Sequence, residues 1–167
     1  HTRVIDLDHL AVLDNSEEHI LWLKLKAKHS DLVLCLCSCY LPPKDSSHKV
    51  EGDQFFDKIM AQVYSYQNEG LICICGYVNA RMGELQDFIE DVDDVPLRDI
   101  VDQSCNEYGD LFHAHLTSCN MCILNGRRGH RDKNGYTRLS AKQRKNQLLT
   151  MPGYHINSYI TGHHFKS

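Results

Sequence analysis

The chain has 167 residues, of which 42% are hydrophobic and 24% charged, and this composition is typical of one globular domain with a sizeable core. No apolar run approaches the ~18 to 20 residues of a membrane-spanning helix and no signal peptide opens the sequence, so we expect an intracellular domain of the nucleus or cytoplasm, neither membrane-bound nor secreted. The net charge of −4 combines a balance of −12 over residues 1–126 with one of +8 over residues 127–167.

The first 40 residues predict three strands of a sheet. Strands at 10–13 and 19–25, joined by the turn-forming Asp14-Asn15-Ser16, have the pattern of a hairpin. A third strand covers residues 32–40. It ends at Leu41-Pro42-Pro43 because proline cannot donate to the ladder.

The strand at 32–40 has two apolar faces. One face carries Cys35, Cys37 and Cys39, and the other carries Leu34, Leu36 and Ser38. This is the pattern of a central strand, so we expect the sheet to be covered on both sides. The chain contains eight cysteines, and without a secretory signal they indicate free, buried thiols rather than a disulfide framework.

A helix and a fourth strand follow. Large apolar side chains recur at helical spacing between residues 55 and 64, and Gly70 is a suitable stop. The apolar run 71–75, bounded by Gly70 and Gly76, is typical of a buried strand. Strand, helix and strand in this order predict a crossover unit.

The second half of the chain is predicted to be less regular. The acidic stretch 84–99 is expected to face the solvent, with a short helical or irregular piece at 85–89. Residues 108–119 predict a second helix, residues 121–124 a short strand, and residues 155–160 a weak last strand. The result is a mixed α/β chain in which antiparallel and crossover connections coexist.

Two groups of residues are weak candidates for a metal site. Cys119-x-x-Cys122 has no second pair at zinc-ribbon spacing. His113 and His115 face different sides of the predicted helix and cannot easily share an ion. We therefore predict no metal site from these residues.

The segment Leu71-Ile72-Cys73-Ile74-Cys75-Gly76-Tyr77-Val78-Asn79-Ala80-Arg81 is the most informative part of the chain. Polar groups follow its buried strand, and this is where α/β proteins place their chemistry. The segment resembles the (I/V)CGDFNAR segment of the endonuclease/exonuclease/phosphatase superfamily, in its LINE-type retrotransposon branch. Tyr40-Leu41-Pro42-Pro43 and Leu124-Asn125-Gly126-Arg127 resemble further segments of that family. The matched segments are residues 12–25, 39–43, 70–81, 99–128 and 155–167.

This resemblance implies a fold and an activity. The implied fold is part of a DNase I-like four-layer α/β sandwich, in which two mixed sheets pack face to face with helices outside. The implied activity is hydrolysis of phosphodiester bonds with Mg²⁺, a hard cation held by carboxylates, with DNA as the partner and no small-molecule cofactor. Since the first residue is His1 rather than Met and the family's domains are longer, we expect residues 1–167 to be a single domain of this type, incomplete at both ends.

The resemblance also assigns the candidate site residues, and two aspartates are lost among them. Tyr40 corresponds to a tyrosine that points toward the scissile phosphate, and Asn79 to an asparagine that holds a phosphate oxygen. Tyr77 stands at the position of the aspartate that activates water, and a phenol does not ionise near neutral pH. Ser158 replaces the aspartate of an S-x-x-D-Y-V segment. The family's metal-binding glutamate and final S-D-H segment have no counterpart, so we expect no significant nuclease activity and weak Mg²⁺ binding at best.

The basic residues favour a second function. Arg81 and the first arginines of a basic block, Arg127, Arg128 and Arg131, are candidates for contacts with a phosphate backbone. The same block also suits a solvated loop. Three hypotheses stay open: a decayed endonuclease, a non-catalytic nucleic-acid-binding module, and a retroelement relic with no selected role. The block comprises Arg127, Arg128, Arg131, Lys133, Arg138, Lys142, Arg144 and Lys145.

Overall fold

The structure is a computed structural model that describes residues 7–48, 50–88, 95 and 97–125, together with the backbone of residues 159–162. Its elements are β1 (Leu7–Asp14), β2 (Ile20–Ala27), β3 (Val33–Tyr40), α1 (Gly52–Tyr66), β4 (Leu71–Tyr77), α2 (Glu107–Cys119), β5 (Met121–Ile123) and β6 (Tyr159–Gly162). The mixed α/β class predicted from the sequence is therefore confirmed. Among these residues, no helix has the length and apolar character needed to cross a membrane.

The strands form one mixed sheet in the order β1-β2-β3-β4-β6-β5. β1, β2 and β3 are antiparallel neighbours, and α1 connects β3 to β4 as the predicted crossover between parallel strands. β6 is antiparallel to both β4 and β5. The strands β3, β4 and β5 therefore finish at the same end of the sheet, which we call the carboxyl end.

Both helices pack on one face of this sheet. Trp22 and Leu116 have no exposed surface there, and the Phe56 ring lies 5.6 Å from that of Phe112, which joins α1 to α2. Burying large apolar side chains of this kind is the main stabilising contribution to the fold. The strand residues of this core include Ile20, Trp22, Cys35, Cys37, Cys39, Ile72 and Ile74.

The opposite face, which we call the second face, differs from the expectation of full coverage. Leu34 and Leu36 are half-buried and Ser38 is exposed, while Leu10 and Val12 are each 56% exposed. Neither described helix packs on this face. Alternation along β3 correctly predicts two apolar faces, but coverage depends on which other segments reach them, and the pattern of one strand does not contain that information.

None of the eight cysteines, all of which belong to the described residues, forms a disulfide, and six of them are buried. Burial raises the pKa of the Cys75 thiol to about 11, so this side chain is a protonated, apolar group at neutral pH. The strand cysteines therefore act as small hydrophobic residues of the sheet.

Candidate functional site

Tyr40 and Tyr77 lie side by side at the carboxyl end of the sheet. They are the last residues of β3 and β4 and are paired in the parallel register. Their ring centroids are 6.4 Å apart and the ring planes differ by 19°. The Leu41 amide donates to the Tyr77 carbonyl oxygen at 2.9 Å and extends this pairing beyond Tyr40. Two residues that are 37 positions apart in the sequence therefore share one surface.

Gly76 allows β4 to extend as far as Tyr77. Its φ of +150° is a conformation that other residues rarely adopt, and a Cβ atom at this position would lie 1.9 Å from the Cys39 carbonyl oxygen. The strand was predicted to end at residue 75, before this glycine. In the structure the ladder continues through it, and this continuation places Tyr77 opposite Tyr40.

Asn79 lies next to the segment that follows Tyr40. Its φ of 49° is left-handed, a conformation that asparagine tolerates. Its side-chain amide donates to the Leu41 carbonyl oxygen at 2.8 Å, and its own carbonyl oxygen accepts from the Asn106 amide group at 2.9 Å. One hydrogen of the Asn79 side-chain amide thus holds the segment after β3 in place. The predicted contact with a phosphate oxygen stays a prediction.

Asn106 joins the loop after β4 to the start of α2. Its Oδ1 atom accepts from the backbone amides of Arg81 at 2.9 Å and Gly109 at 2.8 Å, the latter as an N-cap of the helix. Gly109 permits this approach, because a Cβ atom there would lie 1.9 Å from the Arg81 carbonyl oxygen. The residues after β4 are therefore held in place by α2.

We expect Asn106→Ala to lower the free energy of unfolding by about 2 kcal/mol, since it removes an N-cap and two further hydrogen bonds. Urea unfolding measures the loss. Asn106→Asp keeps the acceptor and should lose less than the alanine variant. Asn68→Ala, an exposed position in the turn before β4, serves as the control and should change stability by at most about 0.5 kcal/mol. Equal losses for Asn106→Ala and Asn68→Ala would contradict this role of Asn106.

Arg81 presents a half-exposed guanidinium near the same loop. Its Nη1 atom donates to the Ser104 hydroxyl at 3.3 Å, and its Nε lies 3.9 Å from Asp102. The pKa of Asp102 is lowered, first by hydrogen bonds from Ser104 and to a smaller extent by the charge of Arg81. The side chain of Arg81 is 56% exposed, so it remains accessible to a phosphate group.

His19 is a site residue that the sequence analysis missed. Its ring lies 6.0 Å from the Tyr40 ring, at 70° to it, and its carbonyl oxygen accepts from the Tyr40 amide at 3.0 Å. The predicted hairpin joins β1 to β2 and does not indicate this contact, which follows from the antiparallel pairing of β2 with β3. We call His19, Tyr40 and Tyr77 the aromatic row.

The remaining predicted residues, Ser158, Arg127, Arg128 and Arg131, lie outside the described residues. The strands β5 and β6, which come before and after these residues in the sequence, are described. β5 ends at Ile123, and β6 begins at Tyr159, which is paired with Cys75 two residues before Tyr77. The last residue of β5 and the first residue of β6 thus both lie toward the carboxyl end of the sheet.

Clusters of metal ligands are missing from the described part of the site. Mg²⁺ takes six oxygen ligands, usually one or two carboxylates together with several water molecules. Among the described residues, no group of three His, Cys, Asp or Glu side chains could hold a metal ion. Two surface hollows of about 410 and 360 Å³ lie elsewhere, beside the α1–β4 turn and at the starts of the helices, and neither is lined by the aromatic row.

The fold and the site together define a mixed α/β protein with aromatic and amide side chains at the carboxyl end of its sheet. In comparisons with known proteins, no family model and no curated protein matches the chain. The resemblance to a superfamily therefore stays a prediction from the sequence segments that carry it.

Proposed function

We propose that the chain is a catalytically inactive domain of the endonuclease/exonuclease/phosphatase type, from the LINE retroelement branch, that binds nucleic acid without cleaving it. The observation that carries this proposal is the parallel pairing of Tyr40 with Tyr77. It brings a retained family tyrosine next to the position where the family has its water-activating aspartate. Asn79, the other retained residue, lies in the loop that follows.

The chemistry of the substituted positions argues against hydrolysis. Attack on a phosphodiester needs an activated water molecule and charge stabilisation, usually by a metal ion. Tyr77 supplies no general base at neutral pH, and Ser158 has no charge. Loss of one group from such a set typically costs orders of magnitude in rate. The two substituted aspartates therefore support an inactive site.

Binding to nucleic acid is supported by one exposed arginine and by the basic composition of the C-terminal part of the sequence. Arg81 lies in the loop after β4 and is 56% exposed. The block with Arg127, Arg128 and Arg131 follows β5 in the sequence, and residues 127–167 have a charge balance of +8. Lysine and arginine side chains there would neutralise phosphates and release counterions. This surface would then hold a nucleic acid against a site without hydrolytic groups.

The second face supports the finer proposal of a four-layer sandwich. The register aligns two apolar rows across four strands, Leu10, Leu25, Leu34 and Leu71 in one, and Val12, Leu23, Leu36 and Cys73 in the other. In a DNase I-like sandwich, a second sheet would pack about 10 Å above such a face. The second face has the composition that this packing requires.

Binding is tested with labelled DNA, as a single strand and as a duplex, by fluorescence anisotropy at several salt concentrations. We expect affinity to fall steeply as salt rises. Replacing Arg127, Arg128 and Arg131 by alanine should weaken binding and reduce the slope of log K against log salt by about 2 to 3 for a duplex. A control variant with Lys24, Lys26 and Lys58 replaced should keep the wild-type slope. Unchanged binding by the arginine variant would contradict the proposed binding site.

The absence of cleavage is tested separately by plasmid nicking in the presence of Mg²⁺. We expect no turnover above that of a blank. Nicking that Asn79→Ala abolishes would show that the site is active and would overturn this part of the proposal. Such a result would leave the binding measurement unaffected.

A further inference from the structure

The aromatic row is built from three adjacent strands. His19 immediately precedes β2, while Tyr40 and Tyr77 end β3 and β4. The register pairs Tyr40 with Tyr77, two residues beyond the pair formed by Ser38 and Cys75. Side chains two residues apart lie on the same face of a strand, so both tyrosines belong to the second face at the carboxyl end of the sheet.

Tyr40 is the most accessible ring of the aromatic row, while Tyr77 and His19 are half-buried. Tyr40 is 45% exposed, although large aromatic side chains are usually buried or placed at interfaces. The Tyr77 ring lies almost parallel to it, and the His19 ring meets it edge-on. A planar group laid parallel to the two tyrosines would contact a ring face without moving the backbone.

We propose that the aromatic row stacks the unpaired bases of a single-stranded nucleic acid, so that the chain prefers single strands to duplexes. This inference rests on the proposed function. Every nucleobase has a π-face, and base–aromatic stacking is the usual way in which proteins hold single strands with little dependence on sequence. A duplex hides these faces within its own stack, so it cannot use the row in the same way.

The replacement of an acid by Tyr77 strengthens this interpretation. A carboxylate at this position would repel a phosphate backbone in the absence of a metal ion. The phenol removes that charge and adds a second ring next to Tyr40. Glu18 lies 3.6 Å from His19, and its side chain is 84% exposed.

A cationic side chain in the loop after β4 is suited to contact the phosphate backbone of a bound nucleic acid. Arg81 lies four residues beyond Tyr77, with its guanidinium partly balanced by Asp102. The sequence from residue 127 onward has a charge balance of +8. Aromatic rings for bases, combined with cationic groups for phosphates, are the features that single-strand binding surfaces share.

The test compares a labelled oligothymidine single strand with a labelled DNA hairpin duplex of equal charge, in one buffer. We expect Tyr40→Leu and Tyr77→Leu each to weaken binding of the single strand roughly ten-fold, and to change duplex binding less than two-fold. Tyr40→Trp, which keeps a ring, should bind the single strand at least as well as the wild type. Tyr64→Leu, which alters a 51% exposed tyrosine of α1, serves as the control and should have no effect on binding.

The outcomes separate this inference from the proposed function. Salt-dependent DNA binding that both leucine variants retain would overturn the stacking role and leave the proposed function standing. Equal weakening of single-strand and duplex binding would also overturn it, because the row would then contact the backbone. A wild-type chain that binds neither probe would refute both proposals.

A measurement on the unaltered chain covers the case in which the leucine variants fail to fold. A single strand containing 5-bromodeoxyuridine is cross-linked to the wild-type protein by ultraviolet light, and the modified peptides are identified by mass spectrometry. Stacking predicts that the label is attached to Tyr40, Tyr77 or His19. Cross-links confined to other residues would refute the inference.

Discussion

Asp87→Ala is expected to lower the free energy of unfolding by about 3–5 kcal/mol, because it removes one partner of a buried ion pair. Asp87 is 6% exposed. Its Oδ2 atom accepts from the Ile123 amide at 2.5 Å, and its Oδ1 atom lies 3.4 Å from Nε of Arg98. Arg98 in turn donates to the Leu85 carbonyl oxygen at 2.7 Å. One carboxylate therefore connects the segment after β4 to the short strand β5, and its loss removes an oppositely charged partner 3.4 Å from a largely buried guanidinium.

Urea unfolding of the variant and the wild type measures this loss. Asp57→Ala removes an exposed acid of α1 and serves as the control, with an expected change within about 0.5 kcal/mol. A double-mutant cycle with Arg98→Ala should give a coupling energy of at least about 1 kcal/mol, as expected for residues in contact. An Asp87→Ala variant as stable as Asp57→Ala would show that the ion pair is not needed.

The role of Asp87 could not be predicted from the sequence. It belongs to the acidic stretch 84–99, for which solvent exposure was predicted, and that prediction is wrong for this residue. Its burial depends on Arg98 and on a backbone amide 36 positions away. Local composition contains no information about such a distant partner, whereas an acidic stretch is on average a good indicator of exposure.

Regular elements were predictable because their signals are local. Helix α1 was predicted from apolar residues at helical spacing, and it covers Gly52–Tyr66 with Phe55, Ile59 and Val63 among its buried residues. The crossover from β3 to β4 follows from the order strand, helix, strand, and the structure confirms it. The last strand was predicted at 155–160 and is observed at Tyr159–Gly162, while residues 155–158 lie outside the described residues.

The candidate site was predictable in position but not in detail. Two parallel strands must end on the same side of a sheet, so the predicted crossover unit is consistent with Tyr40 and the residues after Gly76 lying at one end of it. Their direct pairing depends on the register, which is set by the whole sheet, and on a glycine conformation that lets β4 continue. The hydrogen bond from Asn79 to Leu41 and the ring contact of His19 with Tyr40 also join distant parts of the chain, so they too depend on the register of the whole sheet.

Acidification from about pH 6.5 to pH 4 is expected to lower the free energy of unfolding by about 3 kcal/mol through His115 alone. Burial in α2 lowers the pKa of His115 from 6.5 to about 4, and a hydrogen bond with the backbone of Phe56 opposes only part of this shift. In this pH range the unfolded chain binds a proton that the folded chain does not. The contribution of neutral His115 to the free energy of unfolding is therefore fully present above pH 6.5, and it is lost as the pH falls toward 4.

The environment of His115 explains why the neutral form is favoured. Its ring lies 5.6 Å from the Phe56 ring, and its Nδ1 atom is 3.9 Å from the Cys119 sulfur. Burial raises the pKa of the Cys119 thiol to about 11, so this neighbour is uncharged and cannot stabilise an imidazolium. Neither side chain provides the negative charge that would keep a buried histidine protonated.

Urea unfolding of the wild type and of His115→Gln, at pH values from 7 to 4, measures this contribution. Glutamine does not titrate, so the difference in stability between the two proteins should shrink or reverse by about 3 kcal/mol as the pH falls. Comparison with the wild type also cancels the contributions of exposed carboxylates such as Asp14, whose pKa is lowered by hydrogen bonds from Ser16. His113→Gln removes a second imidazole from the same helix and controls for loss of a histidine in α2. If His115→Gln and the wild type lose stability in parallel over this range, burial of a neutral His115 is not what makes α2 sensitive to acid.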